Sequence, residues 1–398
     1  MSPGSFLSVF RQPGVCRPAA GAVLASLPVG MLGLAVLLLV QRSEGGFASA
    51  GLAVGFLGAG TALGMVVQGR LIDRLGQTRV LLTAAGVQTL AIVGLVLAGN
   101  SGVLAAVLVC AFLSGACEPQ VNASMRALWP TLVPVPMLPT AMTLSSVMFE
   151  APVLVGPLLL TAALPFTTPA TAILLCAALF TGGALLLATS RASRSWQAVR
   201  GVPGDRRAGL AGALSSAGVR TALLAGIGHG LVIGMVQVSA AALFTERAGL
   251  MYAAISVGSL TGALVWGTRL QGGRPALRIA GLLLLCGLAA GAAALTGTPL
   301  VFAGALFVLG LGLGPTGVLK FSLAGRTAPP GRAVEAFTMI AAAGVSAIAA
   351  GSTLAGAIAD RSGPVTALIA AAAVATTVAA ILAARESRRN HLVGAFHS

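Results

Sequence analysis

Apolar residues in this chain come in runs long enough to cross a lipid bilayer, and within those runs they do not alternate with polar ones. The runs cover 18–40, 47–68, 80–99, 102–125, 140–164, 169–189, 221–243, 248–267, 279–295, 299–323, 334–358 and 364–383. Crossing about 30 Å of hydrocarbon takes about 20 residues as a helix, and only a helix or a closed barrel satisfies its own backbone hydrogen bonds there. A barrel would show segments of about ten residues with alternating polarity. The runs therefore predict an all-α polytopic membrane protein of twelve transmembrane helices, six on each side of a polar, arginine-rich stretch. The chain is 8% charged, against about 25% in a soluble domain, so it lacks the polar surface to cover a core of its size.

The first run follows Arg11 and Arg17, like the start of a signal peptide, but it is too long for a cleaved signal and suits a first membrane helix. Cys16, Cys110, Cys117, Cys176 and Cys286 are scattered without C-x-x-C spacing, which argues against a disulfide framework or a metal site. A net charge of +15 raises nucleic acid as a partner, and the placement of the arginines answers it. With the N-terminus in the cytoplasm, 20 of the 23 arginines fall in cytoplasmic segments, all but Arg42, Arg247 and Arg361. That is the positive-inside pattern, and no arginine run is interleaved with aromatics as a nucleic-acid groove would need. Lys320 is the single lysine, and Arg in place of Lys with abundant Ala and Gly is the composition of a GC-rich bacterial genome.

The two halves repeat. Sliding the chain by 198 positions pairs Gly51 with Gly249, Leu52 with Leu250, Gly60 with Gly258, Gly64 with Gly262, Val67 with Val265 and Gly69 with Gly267. Gly60 and Gly64, and again Gly258 and Gly262, form small-xxx-small faces that let helix backbones approach closely in lipid. The expected organisation is a six-helix bundle over 1–189, a cytoplasmic linker over 190–220, and a second bundle with its tail over 221–398. Two similar halves of this kind suit alternating access, in which one rocks against the other around a midplane site.

Between the second and third runs the chain reads Gly69, Arg70, Leu71, Ile72, Asp73, Arg74, Leu75, Gly76, Gln77, Thr78, Arg79. This resembles the signature loop of the major facilitator superfamily, G-x-x-x-D-R-x-G-R/x-R/K. The resemblance covers nearly the whole chain in helix count and sidedness, and it implies that fold: two pseudo-symmetric six-helix bundles. It further implies that Gly69, Asp73, Arg74, Gly76 and Arg79 form a conformational latch. Arg126 is a candidate partner for Asp73; the plainer reading is that these arginines only orient the topology. In physical terms, Gly69 would permit close packing where the second helix ends, and Gly76 a tight turn. The matching stretch 267–278 keeps Gly273 and Arg274 but has no acid. Gly156-Pro157, six residues after Glu150, resembles a reduced Gly-Pro motif of superfamily exporters, which implies a hinge in the fifth helix and favours efflux; Gly156-Pro157 also reads as a mere kink.

Charge at the bilayer centre costs about 2.5–3.5 kcal/mol on insertion scales, so each buried ionisable group needs a reason. Glu118, Glu150 and Lys320 lie well inside their runs, and His229 is near the middle of the seventh. By the resemblance, helices 1, 4, 7 and 10 line the central cavity, which would bring Glu118, His229 and Lys320 together. A carboxyl out of water holds its proton more tightly, so Glu118 or Glu150 can carry a coupling proton. Lys320 is then a counter-charge or an anion-binding group, with a structural ion pair as the rival reading. His229 either serves the cavity or hydrogen-bonds between helices. Gln120, Asn122, Gln237 and Thr316 line a substrate path or join neighbouring helices. Glu335 reads as a first-turn acid and Asp360-Arg361 as an external turn.

No G-x-x-x-x-G-K-[ST], H-E-x-x-H or G-x-S-x-G pattern occurs, so neither nucleotide hydrolysis nor a membrane-embedded enzyme is indicated. The expectation is a proton-coupled exporter of a small hydrophobic or amphipathic molecule. It would sit in a bacterial cytoplasmic membrane with both termini in the cytoplasm. Its partners would be substrate, protons and lipid, with no nucleic acid, metal or cofactor, and one chain would suffice as a monomer. The alternatives are an importer of a small metabolite and a non-transporting sensor or scaffold.

Overall fold

A computed structural model describes residues 3–44, 46–196, 213–266, 274–329 and 333–395. Among them there is no strand. The helices are α1 (Pro3–Phe10), α2 (Cys16–Glu44), α3 (Phe47–Leu75), α4 (Gln77–Ser101), α5 (Leu104–Ala116), α6 (Val121–Leu132), α7 (Leu138–Ala163), α8 (Pro169–Ala188), α9 (Arg191–Ser195), α10 (Ala217–Leu243), α11 (Ala248–Trp266), α12 (Pro275–Ala294), α13 (Pro299–Thr327), α14 (Ala333–Ser362) and α15 (Pro364–Ala395). Among the described residues, eleven stretches are long and apolar enough to cross a membrane. The 26-residue α7, which covers the fifth run, brings the number of segments to the twelve of the sequence pattern. Large apolar side chains such as Leu90, Leu97, Leu264 and Leu288 stand exposed on these helices, as lipid-facing residues must.

Three local expectations change. The fourth segment is not one helix, because Cys117–Gln120 leave helical geometry between α5 and α6. Pro119 has no N–H to offer the Gly115 carbonyl, and its ring crowds that carbonyl. The Glu118 N–H reaches back to Gly115 instead, at 3.1 Å. Second, the signature stretch is mostly helix, since α3 runs on to Leu75 and only Gly76 turns, with φ +86. Gly69 is therefore inside a helix, and a Cβ there would meet nothing within 4 Å, so it is not a close-packing point. Third, Asp360 and Arg361 belong to the last turn of α14 rather than to a loop.

The chain divides into two compact units: Met1–Gly45 with Phe56–Val202, and Gly46–Gly55 with Pro203–Ser398. Each has the same internal plan. In the first, α2 packs on α7 and α8, and α4 on α5 and α8; in the second, α10 packs on α14 and α15, and α12 on α13 and α15. The glycine faces do what their spacing predicts. Gly60 lies against the Phe112 carbonyl, Gly64 against that of Ala116 and Gly115 against that of Leu57, which joins α3 to α5. Gly258 lies against Phe307, Gly262 against Leu311 and Gly310 against Ile255, which joins α11 to α13 in the same way. The repeat is thus 198 positions from Gly60 to Gly258 but 195 from Phe112 to Phe307 and from Gly115 to Gly310. Three residues are lost between the two helices, which a rigid slide of the sequence does not reveal.

Residues 46–55, the tip of α3, pack within the second unit. Asp360 accepts hydrogen bonds from the N–H groups of Phe47 (2.9 Å) and Ala48 (2.8 Å), satisfying two of the four donors that a helix start leaves unpaired. Gly51 rests on the Ser352 carbonyl, where a Cβ would come within 2.6 Å, and Gly356 rests on the carbonyl of Phe47. The carboxylate faces the positive end of the α3 dipole, so charge and hydrogen bonding act together.

Candidate transport site

The α5–α6 break is the one place among the described residues where a predicted membrane segment loses its helix around an acid. Opening a helix in hydrocarbon frees carbonyls that must find donors. Gln68, on α3 and 4% exposed, supplies them. Its Nε2 donates to the carbonyls of Ala116 (2.9 Å) and Glu118 (2.8 Å). Gln120 adds a third bond, from Nε2 to the Glu118 carbonyl at 3.1 Å. Both hydrogens of the Gln68 amide are thereby used, while its Oε1 is buried and has no hydrogen-bond partner.

The half-buried side chain of Glu118 meets Thr61 on α3, with Thr61 Oγ1 3.3 Å from Glu118 Oε2. The same hydroxyl lies 3.1 Å from the carbonyl of Leu57. A hydroxyl has one hydrogen and two acceptor sites. It can donate to an ionised Glu118, or turn to Leu57 and accept from a protonated one. The contact therefore serves both protonation states. Asn122, just inside α6, exchanges hydrogen bonds with the buried Ser26 of α2 (3.0 and 3.2 Å), which makes it a link between helices.

In the second unit, Lys320 is 8% exposed on α13. Its aliphatic stem runs past α10 at Gly226, where a Cβ would lie 3.9 Å from Cδ. His229, one turn along α10 from Gly226, has its Nδ1 buried without a hydrogen-bond partner. Thr316 is buried and donates to the Gly312 carbonyl at 2.8 Å, so it serves its own helix, while Gln237 is half-buried on α10. Gly156 packs against α2, where a Cβ would come within 2.6 Å of the Leu27 carbonyl. That contact accounts for the glycine, and α7 stays helical through Pro157. The side chains of Glu150, Asp73 and Glu335, and residues 267–273, lie outside the described residues. Arg74, Arg79 and Arg126 are exposed. Thr61 and Gln68 were missed by sequence reasoning, since neither is charged and both sit on an ordinary apolar helix.

Paired six-helix units with matching internal packing define a multi-pass membrane protein with the architecture of a carrier. A family model described as Major Facilitator Superfamily matches residues 19–352. The chain belongs to that superfamily. Among solved structures, it is similar to the nucleoside transporter NupG at 11% identity and a TM-score of 0.72, with 92% of this chain and 99% of that one covered. It is also similar to a POT family transporter in complex with a thioalcohol-conjugated peptide, at 14% identity and a TM-score of 0.70, with 94% and 96% covered. The human organic anion transporter MFSD10 gives 17% identity and a TM-score of 0.59, with 94% and 100% covered. Likenesses at such identities speak to the fold alone. No curated protein sequence matches the chain significantly.

Proposed function

We propose that this protein is a proton-coupled secondary transporter in which Glu118 carries the coupling proton, and that it exports a small hydrophobic or amphipathic compound. One observation carries the reading: a carboxyl placed at an unwound point of a membrane helix, beside a hydroxyl able to donate to its charged form and accept from its neutral form. A structural ion-pair acid would need a fixed cation instead, and no ion pair to Glu118 is seen among the described residues. In this reading the bundles 1–189 and 221–398, joined by 190–220, alternate access to the site. Lys320 and His229, with Gln237, provide polar contacts for substrate. Asp73 with Arg74, Arg79 and Arg126 latches one state, and Gly76 lets that stretch turn. The protein works as a monomer in a bacterial cytoplasmic membrane with both termini inside.

Import of a small metabolite is the second reading, favoured by Gly156 serving as a packing contact rather than as part of an exporter hinge. The test is reconstitution in liposomes with an imposed pH gradient, comparing wild type, Glu118→Gln and Glu150→Gln. We expect wild type to concentrate amphipathic fluorescent dyes against the direction of proton flow. Glu118→Gln should lose gradient-driven flux while retaining exchange of substrate across the membrane. Full gradient-driven flux in Glu118→Gln would overturn the assignment, and its loss in Glu150→Gln alone would transfer the role to that residue.

A further inference from the structure

The geometry points to Gln68 as the positioning residue of the acid site: its amide holds the α5–α6 break open at Glu118 and so sets where the carboxyl that takes up the proton is held. The inference rests on the reading of Glu118 as the coupling acid. Two observations carry it, both within the first unit. The Gln68 amide spends both its hydrogens on backbone carbonyls of the break, those of Ala116 and Glu118 itself. Side-chain bonds of this kind fix the backbone from which the carboxyl projects, and so fix its reach to Thr61.

Thr61 can answer either protonation form only while the break holds the carboxyl beside it. The amide therefore acts through the Glu118 backbone and need not touch substrate.

The test needs no known substrate. Purified protein is titrated by infrared difference spectroscopy, and the carbonyl band of the protonated acid is identified as the one missing in Glu118→Gln. In Gln68→Met, which keeps the length and removes both polar ends, the midpoint of that band should move by about 1 pH unit, a tenfold change in proton affinity. Gln68→Asn keeps the amide on a shorter arm and should move it less; it also serves if the Met variant fails to fold. An unmoved midpoint in a folded Gln68→Met protein would overturn the inference. If instead Glu118→Gln keeps gradient-driven transport while Gln68→Met still moves the band, the coupling role of Glu118 falls and the positioning of its carboxyl stands. A band that does not titrate in wild type would refute both.

Discussion

Replacing Gly115 by alanine should destabilise the fold by about 1–3 kcal/mol, the usual cost of forcing a methyl group into a filled space, and should disconnect the acid site at the same time. The added Cβ would overlap the Leu57 carbonyl and lie 2.8 Å from Thr61 N and 2.9 Å from Thr61 Oγ1. Two of these three atoms are backbone, so no rotamer change relieves the overlap; α3 must move off α5 by about 1 Å to restore van der Waals separation. The Thr61–Glu118 contact already stands at 3.3 Å, and a further ~1 Å ends it as a hydrogen bond. Gly281→Ala on α12 is the control, because a Cβ there meets nothing within 4 Å. In that open site alanine gains up to ~1 kcal/mol of helix propensity. Unfolding in detergent, followed by circular dichroism, measures both variants, and the infrared titration of Glu118 reads the site. A Gly115→Ala protein within ~0.5 kcal/mol of Gly281→Ala would refute the claim that backbone contact at this crossing sets the geometry around Thr61.

The two glycines of the signature stretch should behave differently. Gly76→Ala forces a side chain into φ +86 and should lower stability by about 1–2 kcal/mol in thermal melts, whereas Gly69→Ala, in open helix, should be neutral or slightly stabilising. Asp360→Ala should remove the cap on α3 at about 0.5–2 kcal/mol. Hydrogen exchange should then show faster exchange at Phe47 and Ala48, with Asp360→Asn intermediate because it keeps an acceptor.

The helix pattern and the superfamily signature were legible because they rest on period and composition, which lipid enforces along each segment separately. The α5–α6 break was not. Proline alone does not announce such a break, since Pro28, Pro152, Pro157 and Pro315 all sit inside continuous helices of the same protein. What distinguishes Pro119 is a donor from another helix, Gln68, 51 positions earlier in the chain. Gln68 read as the polar end of the second run, because its partners are backbone atoms that a sequence does not display. The charged candidates Glu118 and Lys320 were legible by the cost of burying charge, and they fall in different units. Asn122 and Thr316 read either as lining a substrate path or as joining helices; Asn122 bonds to Ser26 of α2, and Thr316 to the Gly312 carbonyl of its own helix.

The second unit shows why the break needs both partners. Carried across at the spacing of each helix, Thr61 corresponds to Ser259, Gln68 to Trp266, Glu118 to Leu313 and Pro119 to Gly314. Gly314 rests against the Ser259 carbonyl, so the crossing survives in its tight form. Yet α13 runs unbroken past that point. Trp266, 38% exposed, offers an indole instead of an amide, and Pro315, next to Gly314, sits within the continuous helix. The repeat thus supplies its own comparison: the same crossing carries an unbroken helix, with a proline beside it, when amide and acid are absent. Pro119→Gly should therefore let α5 and α6 join while Gln68 loses the freed Glu118 carbonyl, and the infrared midpoint of Glu118 should move as it does in Gln68→Met. An unmoved midpoint in a folded Pro119→Gly protein would mean that the break, and not only its proline, is fixed by contacts other than Gln68.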